Sequence, residues 1–256
     1  MSAAWQALAD EFARWRDAGR VAELWWRDDD AARAAPALER LLELASRAAV
    51  PLALAVVPEP AQGAWLAELG PGVSLLQHGF DHRNRAAEGE KKTEFPATEP
   101  LASALARLAA GHARLAALAG PRALKVLAPP WNRLASALVP RLPEAGLCGL
   151  SRYGARRNAH PAPGVLQINT HVDLIAWKSG RGFVGEDAAL GLALRHLAAR
   201  RAGEADPGEP TGLLTHHAVH DECAWRFLER LLEATRREPG VRWGHAPRLF
   251  EGGTAP

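Results

Sequence analysis

Three aspartates stand side by side at Asp28, Asp29 and Asp30, directly after the apolar run VAELWW at 21–26. Adjacent carboxylates repel one another, and a cation relieves that repulsion; Asp is an ordinary metal ligand. His78 and His82 are four residues apart in HGFDH. On one helical turn that spacing puts both imidazoles on one face, where they can share a metal. Each feature has a plain structural reading when taken alone: a helix cap with solvated charges, or two unrelated histidines. Combined, two His and one Asp make a catalytic-type zinc shell, with positions left open for water. The same set also holds ferrous iron in oxygenases. A second histidine pair, His216-His217, follows Leu213-Leu214-Thr215. Histidine titrates near neutrality and can serve as a general acid, although either residue alone reads equally well as a satisfied structural side chain.

These residues need a scaffold that brings them together. Trp5, Leu8, Phe12 and Trp15 recur at helical spacing, and Gly19 closes that helix. Further helices are expected over 35–49, 61–69, 101–119, 186–201 and 221–237, the last N-capped by Asp221. Strands are expected at 21–26, 52–57, 73–77, 124–128, around LCGLS, at 165–169, 212–215 and 241–243. Strand–helix alternation of this kind predicts an α/β fold with a parallel sheet. A doubly wound sheet usually opens on a glycine-rich phosphate turn, and three aspartates would repel phosphate, so a (β/α) barrel is favoured. In a barrel the carboxyl ends of the strands share one face. Asp28–Asp30, His78, Trp131, Asp173 and His216 all follow expected strands. The polar stretch 79–100 reads as a long loop, functional or mobile, and 202–210 reads as exposed.

The rest of the composition excludes more than it assigns. The chain has 256 residues, 31 basic against 29 acidic, and a net charge of +2. That is a single globular domain without the electrostatic footprint of a nucleic-acid binder. Two cysteines, Cys148 and Cys223, are too few for a disulfide framework; they read as buried thiols. No segment is long and apolar enough to span a bilayer. The N-terminus has no basic start, and Asp10 and Glu11 interrupt it, so a signal peptide is not expected and a cytoplasmic location is. Oligomeric state is left open.

Taken in order, the paired Asp, the H-x3-H, a Pro-aromatic turn, Asp-x3-Trp and Leu-x-His resemble the polysaccharide deacetylase (nodulation-type deacetylase, carbohydrate esterase) superfamily. The motifs run from residue 28 to residue 216. The resemblance implies one domain, a distorted (β/α)7 barrel, and metal-dependent removal of an acetyl group from the nitrogen of a sugar or related small substrate. It implies Asp28 as general base, with Asp29, His78 and His82 as metal ligands. Trp131, in Ala128-Pro129-Pro130-Trp131, falls where a backbone N–H helps hold the oxyanion. His216 falls on the general acid and Asp173 on its orienting partner. Trp177, Pro130, His217, Asp30 and Arg133 are candidate substrate contacts. The implied cofactor is a divalent metal, zinc first, with iron, cobalt, nickel or manganese also fitting.

The sequence departs from this pattern in several places. Ala128 stands where the family has an arginine that steadies the base, leaving Arg27 or Arg133 as substitutes. Asp30 stands where a glycine is usual, so a slip of one position would make Asp30 the ligand. Arg83 replaces a proline, and His217 is an alternative acid to His216. A non-catalytic relative that binds carbohydrate or a partner is the main competing reading; iron-dependent oxidation on the same ligands is another.

Overall fold

A computed structural model describes residues 2–251. Its strands are β1 (Ala22–Ala31), β2 (Leu52–Val56), β3 (Val73–Gln77), β4 (Ala123–Leu127), β5 (Gly149–Leu150), β6 (Leu166–Gln167), β7 (Val172–Asp173), β8 (Thr211–Thr215) and β9 (Val241–Trp243). They lie in the order β6-β5-β4-β3-β2-β1-β8-β7, with β9 beside the start of β1. Every pairing is parallel. The fold is a distorted (β/α)7 barrel whose ends, β6 and β7, leave a seam.

The helices are α1 (Ala3–Asp17), α2 (Pro36–Ala48), α3 (Gly63–Ala67), α4 (Leu101–Ala119), α5 (Glu186–Ala202), α6 (Glu222–Arg236) and α7 (Ala246–Phe250). Trp5, Leu8, Phe12 and Trp15 of α1 are buried, as their spacing requires, together with Leu38 and Leu41 of α2 and Leu228 and Leu232 of α6. Asp221 caps α6 by accepting the Ala224 N–H at 2.8 Å. The barrel interior is a separate, smaller cluster of Trp25, Ala53, Ala55, Leu76, Val126 and Ile168, closed by α7. Phe250 of α7 meets Trp25 edge-on, with centroids 6.0 Å apart. Successive residues of a strand face opposite sides. Trp25 accordingly lies inside the barrel and Trp26 in the outer core.

Four expectations change. Strand β1 does not stop at Trp26 but continues through the three aspartates to Ala31, with a bulge between Asp28 and Ala31. Residues 79–100 are irregular as expected, yet they are anchored: Glu94 and Phe95 are fully buried, and the Arg107 guanidinium lies over the Phe95 ring. Cys148 and Cys223 are free and exposed, because Leu147 and Gly149 take the inward positions on either side of Cys148. The connection 202–210 is exposed only in part: Glu209 is fully buried and accepts the N–H groups of Asn169 and Arg156.

Glu209 also faces two stacked histidines. The rings of His171 and His196 are 3.4 Å apart and nearly parallel. Burial pushes both pKa values down, His196 to about 2. At moderately acidic pH the unfolded chain therefore takes up a proton that buried His196 refuses, so stability falls as pH drops below about 6.5. The expected slope from His196 is about 1.4 kcal/mol per pH unit. Urea unfolding at pH 7 and pH 5 should show the loss in the native chain and a flatter response in His196→Asn. Equal responses would place the acid sensitivity elsewhere.

Candidate metal and catalytic site

The site is assembled at the carboxyl ends of the strands. His78 is the first residue past β3, and its N–H bonds to Val56 O of β2. Its Nδ1 lies 2.9 Å from Ala128 O. A carbonyl only accepts, so Nδ1 carries the proton. In the neutral ring this leaves a lone pair on Nε2, which sits 3.1 Å from Asp30 Oδ1. The same oxygen is 3.1 Å from His82 Nε2. A carboxylate and two imidazole nitrogens at these separations call for a cation between them, and the donor set of Asp30, His78 and His82 fits a divalent metal. Burial opposes ionisation of Asp30, but the two imidazoles beside it outweigh that penalty and hold the carboxyl well below the usual range.

The register of the aspartates differs by one from the expected assignment, and strand alternation is the reason. Arg27 and Asp29 share the face of Trp25 and pair as neighbours two apart. The Arg27 guanidinium meets Asp29 through Nε–Oδ1 at 2.8 Å and Nη2–Oδ2 at 3.0 Å, both side chains being buried. Arg27 also donates to Ser151 O, Ser151 Oγ and Asn132 Oδ1. Asp28 points to the other side. It accepts from Thr215 Oγ1 at 2.6 Å, from the His217 N–H at 3.0 Å and from His217 Nδ1 at 2.5 Å. Despite the penalty of burial, His217 and Thr215 hold Asp28 low, and Asp28 raises His217. Asp30 has φ 70° at the bulge, and this left-handed turn re-aims its carboxylate toward His78 and His82. Thus Asp30 rather than Asp29 stands against the two histidines, and Asp28 is absorbed by His217. His82 itself has φ 56°, so residues 78–82 form an irregular turn and not the helical turn that the spacing suggested.

Next to β1, at the end of β8, His216 lies between two acids. Its Nε2 is 3.9 Å from Asp29 Oδ2 and its Nδ1 3.9 Å from Asp173 Oδ1. Asp173, at the end of β7, accepts from Trp177 Nε1 at 2.8 Å, and the Trp177 ring stands edge-on to His216 at 4.7 Å. Burial raises the Asp173 pKa, partly offset by His216. Trp131 has φ 56° and packs its ring 4.5 Å from His82. Pro130 is buried against Gly79, where an added Cβ would come within 2.7 Å of its ring. Of the remaining candidates, Arg133 turns away to Lys92 O, and His217 is buried on Asp28. Between the two arginines considered as substitutes, the structure places Arg27 on the aspartate. The missed feature is Glu94, whose carboxylate accepts from the loop that carries His82. Nothing in its spacing marks it.

His171, His196 and Glu209 form a second group with metal-like composition. Here the hydrogen bonding argues the other way. The Gly212 N–H donates to His171 Nδ1 at 3.0 Å, so the ring proton sits on Nε2, facing Glu209. That nitrogen has no lone pair for a metal.

The chain has the fold of the polysaccharide deacetylases and family 4 carbohydrate esterases. It is similar to the T48 deacetylase solved with substrate, at 17% identity over 91% of this chain and 92% of that one, with a TM-score of 0.57. It is similar to the Bc1960 peptidoglycan N-acetylglucosamine deacetylase at 15% identity, covering 92% and 91% of the two chains, TM-score 0.55. The family 4 acetyl xylan esterase from Clostridium thermocellum, solved with a cobalt ion, matches at 14% identity over 90% of each chain, TM-score 0.51. No protein-family model matches the sequence, and no curated protein matches it. No helix among the described residues is long and apolar enough to cross a membrane.

Proposed function

We propose that the protein is a divergent polysaccharide-deacetylase-type hydrolase that removes an acetyl group from the nitrogen of a sugar or related small substrate, with a divalent metal, zinc first, on Asp30, His78 and His82. The observation that carries this reading is the convergence of that triad, the Arg27–Asp29 pair and the Asp173–His216 pair on one strand-end face. A divalent ion supplies Lewis acidity there and lowers the pKa of a water from 15.7 to about 7.

The chain's own groups account for the remaining steps. Asp29, oriented by Arg27, takes the proton of the attacking water. The Trp131 N–H faces the developing oxyanion; such a donor is worth about 3 kcal/mol. His216 protonates the departing nitrogen, and Asp173 holds its ring for that transfer. Trp177, exposed beside His216, is placed to meet the substrate.

Purified protein should release acetate from N-acetylated chito-oligosaccharides in a metal-dependent reaction. No release from any N-acetyl substrate by metal-loaded protein would overturn the reading. His216→Ala should slow hydrolysis of the amide by about 10²–10⁴-fold. It should affect 4-nitrophenyl acetate much less, because nitrophenolate leaves without a proton. Equal losses on both would remove His216 from the acid role.

A further inference from the structure

The turn that carries His82 has no regular hydrogen-bonding pattern of its own, and its N–H groups converge on one side chain. Glu94, fully buried, accepts from Phe80 N at 2.8 Å and Asp81 N at 3.3 Å through Oε1, and from His82 N at 3.2 Å through Oε2. Its nearest cation, Arg85, is 3.9 Å away and is engaged bidentately by Asp81. The carboxylate therefore works on the backbone of residues 80–82, the link between the two metal-facing histidines. Gly79 is required for this approach: its φ is 62°, and a Cβ there would lie 2.0 Å from Glu94 Oε2. From the opposite side Gln77 Nε2 donates to Gly79 O at 2.9 Å, and the Glu59 N–H bonds to Phe80 O.

Glu94 is itself fixed. Arg107 of α4 donates to its carbonyl, and the neighbouring Phe95 is buried under the same guanidinium. His82 adopts its left-handed φ of 56° with its N–H on this carboxylate. A non-glycine residue keeps that conformation only when its surroundings impose it. Groups outside the ligand set that orient the ligands commonly change metal affinity by about 10–100-fold.

We infer that Glu94 is a positioning residue for the metal site: its carboxylate gathers the N–H groups of Phe80, Asp81 and His82 and so presents the His82 imidazole beside His78 and Asp30. The inference rests on the metal reading of that triad. It explains why a 22-residue irregular segment, 79–100, returns a buried acid to the start of its own loop. Gln cannot replace Glu here, because one of its two terminal atoms is an NH2 group that would face a backbone N–H.

Cobalt(II) titration of the full chain, read by visible absorption and by equilibrium dialysis, tests it. Native protein should bind one Co²⁺ with a defined d–d spectrum. Glu94→Gln should bind about 10–100-fold more weakly, with an altered spectrum, and regain its site at raised cobalt. Glu94→Asp keeps the charge on a shorter arm and should fall between the two, which preserves the test if the Gln variant does not fold. Native affinity and spectrum in the folded Gln or Asp variant would overturn the role of Glu94 while leaving the metal site standing. Absence of Co²⁺ binding by the native chain would instead overturn the metal reading, and this inference with it.

Discussion

Asp30→Asn should abolish stoichiometric zinc binding, while Asp29→Asn should keep the metal and lose turnover by about 10²–10⁴-fold. The contrast follows from one strand. Asp30 Oδ1 is 3.1 Å from both His78 Nε2 and His82 Nε2, so its neutral amide replacement removes the only carboxylate in that triad. Asp29 is bound to Arg27 and lies 3.9 Å from His216, the residue proposed as the acid. His82→Ala should behave as Asp30→Asn does. Asp28→Asn, assigned to the base by motif order alone, should keep both metal and appreciable turnover, since its partners are Thr215 and His217. Metal analysis on the dialysed variants, with acetate release on the same preparations, separates these outcomes. Loss of metal in Asp29→Asn with retention in Asp30→Asn would restore the order expected from the motif and reverse the one the geometry supports.

The second large effect is on stability. Arg27 is fully buried and meets Asp29 through two contacts, with Ser151 and Asn132 taking further donors. Arg27→Met leaves Asp29 buried without its cation, a change that costs about 3–5 kcal/mol. That is a large share of the roughly 5–15 kcal/mol that holds a domain folded. Removing both charges in Arg27→Met/Asp29→Leu should recover much of the loss, because no uncompensated ion remains. Urea unfolding of the two variants reads this directly. A loss below about 1 kcal/mol in the single variant would show that water or another cation reaches Asp29.

Several elements were legible from spacing alone. The 3.6-residue periodicity of Trp5, Leu8, Phe12 and Trp15 places α1, and the apolar runs at β2 and β3 place two central strands that end beside the site. The end of β1 was not legible, because charged residues look like a strand's end when their neighbours are unseen. Arg27–Asp30 stay in the strand because each finds a buried partner: Asp29 for Arg27, His217 for Asp28, and His78 for Asp30. His196 likewise has no partner close to it along the chain; its companion His171 is adjacent only in space.

What the amino-acid order determined by itself was the chemistry available and the kind of scaffold: acids, imidazoles and tryptophans placed after strands of a parallel barrel. Those signals are local, since they depend on residue type and on the period of each element. Which aspartate faces the histidines was decided only by the tertiary structure. A one-residue bulge with φ 70° at Asp30 reverses the direction in which that side chain points, and its position depends on how β1 registers against β2. The same holds for Arg27 reaching Ser151 and Asn132 as well as Asp29, and for Glu94 at the His82 turn. The Glu94 contact joins residues whose separation along the chain carries no period, so only the folded chain reveals it.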